Sequence, residues 1–214
     1  MSGDGSIVYD TFGDNDGTWS GTAAYTNGVR GDAASFDGVD NYIDIGISHS
    51  DTDDGFSYSI WIRSEQSERF DPLGGADNTK ANTPMLGYTI NNDFIHAETV
   101  RVAFWARGAS GGRYHVAYDQ FINDGNWWHL VTTVDSESNM ILYVNGELVD
   151  ERETSINRNI NLSDSFGIGV SKHHGNPSHF TNGSIDEVAI WNRALTSNEV
   201  SEIYNNGAGL FYTP

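Results

Sequence analysis

Short segments in which every second residue is apolar run through this chain, and turn dipeptides separate them. The alternation is clearest over residues 56–62, 100–107, 113–119, 128–135 and 184–191. A period of two puts successive side chains on opposite faces of a strand, so each segment is expected to bury one face. Asn-Gly or Asp-Gly pairs begin at positions 27, 37, 54, 124, 145 and 182. The pattern contains no strand-helix-strand spacing, and it predicts an all-β, antiparallel, two-sheet sandwich.

One of these dipeptides specifies a hairpin. Asn145-Gly146 lies between the strand-forming runs Ile141–Val144 and Glu147–Val149. Asn followed by Gly readily supplies the two positive φ angles of a type I′ turn, which matches the twist of the flanking strands. The sequence therefore predicts a two-residue hairpin at this point.

A single short helix is expected near the C-terminus. Thr196 and Glu199 have the spacing of a capping box, with Thr196 as the N-cap residue, and Leu195 is placed to pack against Val200. The helix should run to about residue 205, with Gly207 ending it. The pattern thus predicts a single helix, which follows the strands of the sandwich near the C-terminus.

Composition and charge narrow the class of protein. Eleven Lys and Arg against 30 Asp and Glu give a formal charge of −19, which argues against nucleic-acid partners. The absence of cysteine excludes disulfides and thiol chemistry. No apolar run has the length of a membrane span, and no linker divides the chain, so we expect one domain over residues 1–214 without membrane insertion. The first residues lack signal-peptide features, and we expect the chain to be part of a larger multidomain protein.

Five blocks of sequence, in order along the chain, carry a family resemblance. They are Ala34–Gly46, Phe56–Ile62, Trp128–Asp135, Leu142–Gly146 and Gly183–Thr196. Together they resemble the laminin-G-like, concanavalin A-like jelly-roll family. The resemblance implies a jelly-roll sandwich and leaves function open, because the fold carries lectins, adhesion modules, accessory domains of polysaccharide-degrading enzymes and some catalytic domains. We expect Trp61, Trp128 and Trp191 to pack between the two sheets.

A calcium site is the first candidate functional site. Strict alternation would place Asp186 on one face with Val188 and Ile190, where a carboxylate must be paired or bind a metal. In the family that the chain resembles, the matching aspartate often binds a structural Ca²⁺ with backbone carbonyls. The resemblance places those carbonyls near Gly38 and Asp10 here, and Ca²⁺ accepts such oxygen ligands. The alternative is that Asp186 accepts hydrogen bonds from backbone amides.

A ligand-binding rim is the second candidate. Polar turns around the strand near residues 86–90, together with a histidine-containing loop, are expected to converge at one end of the sandwich and to bind a ligand. The predicted ligand-binding residues are Asp77, Asn78, Asn92, Asp93, Trp105, Arg107, His173, His174, Asn176 and His179. Alternation alone leaves open whether Trp105 is a core residue or a stacking platform. The histidines are more typical of a surface loop than of a transition-metal site.

Catalysis is not expected. Retaining glycosidases of this architecture carry paired carboxylates on one strand, but Asp186 and Glu187 are adjacent and point to opposite faces of a regular strand. We therefore predict a Ca²⁺-supported module that binds a glycan or a surface peptide, within a large extracellular or cell-surface bacterial adhesin. The alternative is an accessory carbohydrate-binding module of a secreted polysaccharide-degrading enzyme, and a hidden lyase or hydrolase comes third.

Overall fold

The computed structural model describes residues 3–45, 55–76, 85–92, 100–107, 113–154, 156, 166–173 and 176–210. Eighteen strands, one α-helix and one 3₁₀ turn lie within these ranges. The strands are β1 (Gly3–Asp4), β2 (Ile7–Val8), β3 (Gly17–Ser20), β4 (Tyr25–Asn27), β5 (Asp32–Asp37), β6 (Tyr42–Ile45), β7 (Phe56–Ser64), β8 (Phe70–Ala76), β9 (Met85–Asn92), β10 (Val100–Arg107), β11 (Arg113–Tyr118), β12 (Trp128–Val134), β13 (Asn139–Val144), β14 (Glu147–Glu153), β15 (Phe166–Ile168), β16 (Ser171–His173), β17 (Asn176–Ser178) and β18 (Asn182–Trp191). The helix α1 spans Ser197–Tyr204, and the 3₁₀ turn spans Asn205–Gly207.

Two large antiparallel sheets contain most of these strands. Sheet A has the order β1-β2-β3-β6-β15-β8-β9-β10-β11, and sheet B has the order β14-β13-β12-β7-β18-β5-β4. The strands β16 and β17 form a separate hairpin. The prediction of an all-β jelly-roll sandwich with one short C-terminal helix is confirmed, while the division into a single domain over residues 1–214 stays a prediction.

The main core lies between the two sheets, and alternation explains its composition. In β7, Phe56, Tyr58, Ile60 and Ile62 are nearly inaccessible to solvent and belong to one apolar cluster with residues of sheet A. Burying each large apolar side chain contributes roughly 1.5–3 kcal/mol to folding. The residues between them, such as Trp61, point to the outer face of sheet B. Trp61 is therefore buried as expected, but against the C-terminal segment and not between the sheets.

The Asn145-Gly146 hairpin is confirmed. It joins β13 to β14, and its two residues have φ angles of 51° and 80°. Because both angles are positive, the turn is of the predicted primed type. The Asn145 side chain also accepts a hydrogen bond from the backbone N–H of His129 at 2.9 Å, which ties the turn to β12.

The helix α1 begins as predicted and ends at about the predicted residue, but its capping residue is not the predicted Gly207. The Thr196 hydroxyl accepts from the backbone N–H of Glu199, and the Glu199 carboxylate accepts from that of Thr196. Asn205, in the left-handed conformation, caps the C-terminus two residues before Gly207. No helix within the described ranges has the length and hydropathy needed to cross a bilayer.

The helix covers the outer face of sheet B. Val200 and Ile203 of α1 pack with Leu195 against Val131 and Tyr143 of the sheet. Further along, the rings of Trp61, His129 and Tyr204 lie nearly parallel, with centroids 4.8–5.9 Å apart. This face of the sandwich is therefore a second, smaller core.

A β-bulge in β18 changes the predicted facing of Asp186. The register with β7 shifts between Asp186 and Ala189, and Glu187 has a φ of 45°. The extra residue reverses the alternation, so that Val188 and Ile190 pack against the main core. Asp186 instead pairs with Trp61 in the register and lies on the outer side of sheet B. The prediction that Asp186 shares a face with Val188 and Ile190 is wrong for this reason.

Candidate functional site

A row of polar and aromatic residues crosses the outer face of sheet A. It contains Asp71 on β8, Thr89 on β9, Trp105 on β10 and His115 on β11. Their sequence neighbours on β9, β10 and β11 belong to the main core, so the alternation directs this row away from the core. Trp105 and His115 are directly opposite each other in the pairing of β10 with β11. Four neighbouring strands thus place hydrogen-bonding and aromatic groups side by side.

Asp71 is the centre of a hydrogen-bond network on this face. Its side chain is only 2% exposed, and it accepts from the Thr89 hydroxyl at 2.8 Å. Arg69 donates to both carboxylate oxygens, at 3.3 Å from Nε and 3.0 Å from Nη2. The indole N–H of Trp105 donates to the Thr89 hydroxyl oxygen at 3.0 Å. Bonds of this kind hold the carboxylate and the indole in one orientation, because each fixes the next.

His179 extends the network from the segment between β17 and β18. Its Nδ1 lies 3.8 Å from the Asp71 carboxylate, and its backbone carbonyl accepts from the Asp71 N–H at 3.0 Å. Burial lowers the pKa of His179, the Asp71 carboxylate raises it, and Arg69 lowers it again. The balance lies below the ordinary value, so the imidazole is mainly neutral at pH 7. The side chain of His179 is 40% exposed and can offer a hydrogen bond to a ligand.

The predicted ligand residues divide into three groups. Trp105 and His179 are brought together, since the Thr89 hydroxyl and the Asp71 carboxylate connect them. Asn176 is exposed on β17. The structure describes only the backbone of Asn92, Arg107 and His173, while Asp77, Asn78, Asp93 and His174 lie outside the described residues.

The strand ends that lead to the predicted rim lie far apart, and the rim itself stays a prediction because Asp77, Asn78 and Asp93 lie outside the described residues. Ala76 at the end of β8 pairs with Met85 at the start of β9, and Asn92 is the last residue of β9. Seven steps of a strand separate Met85 from Asn92, which is about 24 Å. Trp105 pairs with Gly87, near the Met85 end. Ala76 and Asn92 therefore lie at opposite ends of β9.

Asp71, Thr89 and Arg69 are not among the site residues predicted from the sequence. The segment Arg69–Leu73 does contain a signal in the sequence, since the carboxylate of Asp71 stands between the apolar residues Phe70 and Leu73. Both of these apolar residues are fully buried in the structure. The same reasoning that singled out Asp186 applies to it, because a buried carboxylate needs a partner. Thr89 carries no such signal, as threonine is common in strands.

The structure describes the surroundings of Asp186, Gly38 and Asp10, and the calcium site that the resemblance implies stays a prediction. Asp186 is fully buried, and its two oxygens accept from the backbone N–H groups of Glu187 at 2.9 Å and Arg30 at 3.1 Å. Gly38 lies beside Asn182. Asn182 precedes Asp186 by four residues on β18, which separates the two by about 13 Å along the strand. The carboxylate of Asp10 accepts hydrogen bonds from residues of its own loop. Within the described ranges, no three His, Asp or Glu side chains converge as metal ligands would.

The loop beside Asp186 shows what this carboxylate does. A Cβ atom at Gly28 would lie 2.3 Å from its Oδ2, so the turn between β4 and β5 approaches the carboxylate closely only because residue 28 is glycine. The turn presents the Arg30 N–H to the carboxylate. The geometry agrees with the alternative reading, in which Asp186 caps backbone amides.

A buried serine-histidine pair lies under the C-terminal segment. The Ser59 hydroxyl and His129 Nε2 are 2.9 Å apart, and both residues are almost inaccessible. Burial lowers the pKa of His129 to about 3, far from the value near the working pH that a general base requires. His129 Nδ1 has no hydrogen-bond partner among the described residues. The pair therefore serves packing and does not activate a nucleophile.

Comparison with known proteins places this chain within a family. A family model for the concanavalin A-like lectin/glucanases superfamily matches residues 37–201. Botulinum neurotoxin type X of Clostridium botulinum is 26% identical over 153 residues, which are 71% of this chain and 11% of the toxin. Paraclostridial mosquitocidal protein 1 of Paraclostridium bifermentans is 30% identical over 88 residues, which are 41% of this chain and 7% of that protein. The chain thus spans only a small part of these relatives.

Solved structures with a similar fold include two binding domains and one enzyme domain. Domain 4 of AbnA, an extracellular arabinanase from Geobacillus stearothermophilus, was solved with arabinotriose. It has a TM-score of 0.69 at 24% identity and covers 87% of this chain and 86% of that one. The binding domain of Paraclostridial Mosquitocidal Protein 1 has a TM-score of 0.66 at 15% identity over 95% of this chain and 52% of that one. The binding domain of botulinum neurotoxin DC, solved with SialylT, has a TM-score of 0.64 at 13% identity over 94% and 50%.

Proposed function

This chain belongs to the concanavalin A-like lectin/glucanase superfamily, and we propose that it is a non-catalytic carbohydrate-binding module whose ligand lies on the outer face of sheet A. The network around Asp71 carries this proposal. Saccharides are bound by fixed hydrogen-bonding groups beside an aromatic ring, which receives the apolar face of the sugar. Asp71 and Thr89 supply the fixed polar centre, and Trp105 supplies the ring.

The partly exposed members of the network are suited to the ligand side. The side chains of Arg69 and His179 are 32% and 40% exposed, whereas Asp71 is buried behind them. An arginine that is already held by a carboxylate loses little further freedom when a hydroxyl binds to it, so the contact costs less entropy. The similar domains solved with arabinotriose and with SialylT support a saccharide over the alternative, a peptide.

The protein setting is a proposal of the same kind. We place the module in a secreted, multidomain bacterial protein, because the relatives include toxins of which it matches a small part and a domain of an extracellular arabinanase. An adhesin and a polysaccharide-degrading enzyme both remain candidate parents. The arabinanase domain, which is covered over 86% of its length, favours the accessory-module setting.

A glycan array, followed by calorimetry on the best saccharide, tests the proposed face. We expect Trp105→Ala to weaken binding at least tenfold, about 1.4 kcal/mol, because the ring for stacking is lost. Leu148→Ala removes an exposed apolar side chain from β14 and is the matched control, with unchanged affinity. Normal saccharide binding by Trp105→Ala would show that the binding site does not lie on this face. Binding by no saccharide on the array would refute the proposed function.

A further inference from the structure

Among the described strands, β18 has one unpaired edge over its second half. It pairs with β7 from Gly183 to Trp191, but β5 covers only Asn182–Ile185 on the other side. Beyond Ile185, none of the described strands pairs with that side of β18. The backbone N–H and C=O groups there, around Val188–Ile190, have the arrangement that accepts an additional strand.

The other long edge of sheet B is protected. Five of the seven residues of β14 are charged, and charges on an edge discourage pairing with another chain. Asp150 of β14 also accepts a hydrogen bond from the backbone N–H of Ala117 at 2.8 Å, which connects β14 to β11 of sheet A. In contrast, the part of β18 that no described strand covers on this side reads Val-Ala-Ile after Glu187. Among the described residues, one side of the sandwich is therefore closed and this side is open.

A groove runs along the free edge. It has a volume of about 730 Å³, with Glu187–Asn192 on one wall and Val8–Gly13 on the other. Ile43, Ile45 and Ile168 of sheet A also line it. Val188 and Ile190 point inward but are only half-buried, because nothing in the described ranges closes the sandwich beside them. An apolar side chain that entered here would complete the main core.

The groove has a negative lining. Among the described residues that line it, Asp10, Asp32 and Glu187 carry carboxylates and Arg30 carries the one guanidinium. Burial raises the pKa of Glu187, the adjacent Asp186 raises it further, and Arg30 lowers it, and the balance lies above the ordinary value. A further cationic partner would stabilise the charged form of Glu187, since the net effect still opposes ionisation. The charge of the groove thus complements a basic ligand.

We propose that this groove binds an extended, basic and apolar segment of another polypeptide, which pairs as a strand with the free edge of β18. Alternate side chains of the segment enter the sandwich beside Val188 and Ile190, and a Lys or Arg lies against Glu187. The bulge at Glu187, whose φ of 45° is costly for a residue other than glycine, turns these two apolar side chains inward. The site is separate from the saccharide face, which belongs to sheet A.

A phage-displayed library of random nine-residue peptides, selected on the full chain, is the probe. We expect enrichment of sequences that alternate apolar with polar or basic residues. The best peptide is then synthesised in two N-methylated forms, one for each set of alternate backbone nitrogens. Only one set of N–H groups faces β18 in an added strand, so one form should bind at least tenfold more weakly and the other within threefold of the parent peptide.

The charge contact is tested in the protein. Glu187→Gln should weaken the binding of the parent peptide at least fivefold. Glu153→Gln, a change at an exposed position on β14, should leave that affinity unchanged. Saccharide binding by Glu187→Gln should stay at the wild-type level, which keeps this proposal separate from the proposed function. The inference is overturned if no peptide is enriched, if both methylated forms bind equally, or if the two Gln variants behave alike.

Discussion

The outer faces of the two sheets carry different groups, although both arise from the same alternation. On sheet B, α1 and the segment before it cover an apolar cluster, and Trp61, His129 and Tyr204 stack there. On sheet A, the corresponding positions carry a polar network around Asp71 with partly exposed Arg69 and His179. Asp71 and Thr89 are buried on sheet A as well, but Arg69 and His179 beside them stay partly exposed, and the contrast teaches that a ligand can reach a face only where polar groups stay exposed. Changes on sheet B should therefore affect stability alone, and changes in the network of sheet A should also affect binding.

The largest effect should come from acid titration of His129. Its folded pKa of about 3 lies below the unfolded value of about 6.5, so the folded state binds fewer protons. Stability is then fully present above pH 6.5 and falls as the pH drops towards 3, by about 1.4 kcal/mol per unit and on the order of 4 kcal/mol in total. Urea unfolding at pH 7, 6, 5 and 4 measures this slope.

Two variants make the titration specific. His129→Gln should flatten the stability profile between pH 6.5 and 4, because the group that titrates is gone. His179→Gln is the matched control on sheet A, where the pKa is lowered but the side chain is 40% exposed, and most of the slope should remain. If wild type and His129→Gln lose stability in parallel, the buried face does not control the acid response.

Asp186→Ala should give the second largest effect, a loss of about 3 kcal/mol in the free energy of unfolding. It leaves the buried N–H groups of Glu187 and Arg30 without their acceptor, at about 1–3 kcal/mol each. Asp14→Ala, at an exposed position, should stay within about 0.5 kcal/mol. Denaturation in urea compares the two, and a small effect at Asp186 would show that this carboxylate has no capping role.

Arg69→Ala tests the outer face of sheet A in the comparison of the two faces. We expect saccharide affinity to fall about tenfold, because the guanidinium that faces the ligand is lost, and stability to fall by roughly 3 kcal/mol, because the buried Asp71 carboxylate loses its charged partner. Arg152→Ala on the exposed edge of β14 is the matched control for removal of a positive charge. A variant that loses stability and keeps affinity would make sheet A a structural face like sheet B.

Calcium should have the smallest effect. The carboxylates of a chain with a net charge of −19 repel one another, and Ca²⁺ binding to the folded state would relieve this and stabilise by mass action. We expect Ca²⁺ to raise Tm over an EDTA sample by roughly 2–4 °C, the shift for about 1 kcal/mol in a chain of this size. Mg²⁺, which keeps its waters, should do less. Identical melts in Ca²⁺ and EDTA would contradict calcium support.

The calcium shift also bears on Asp186. Because its oxygens already accept two backbone N–H groups, Asp186→Ala should lose the same stability in Ca²⁺ and in EDTA. If the difference in Tm between Ca²⁺ and EDTA disappears in this variant, Asp186 binds the ion as the family resemblance implies. Capping of backbone amides would then not be the whole role of this carboxylate.

The sequence by itself determined the local structure of this protein. The alternating segments became strands, Asn145-Gly146 became the hairpin, and Thr196 with Glu199 became the start of α1. Each of these depends on residues within a few positions of one another, so backbone propensity and side-chain capping are sufficient to specify it. The five sequence blocks that resemble the family, taken in order, also predicted the jelly-roll sandwich, and the family model matches residues 37–201.

Only the tertiary structure decided where the functional groups meet. Asp71, Thr89, Trp105 and His179 come from four separate segments, and the register of β8, β9 and β10 brings them together. The same register places Ala76 and Asn92 at opposite ends of β9, and one extra residue at Glu187 turned Asp186 to the other face. Strand neighbours, register and bulges depend on packing across the whole core, which no local pattern encodes, because a shift of one residue exchanges the two faces of a strand.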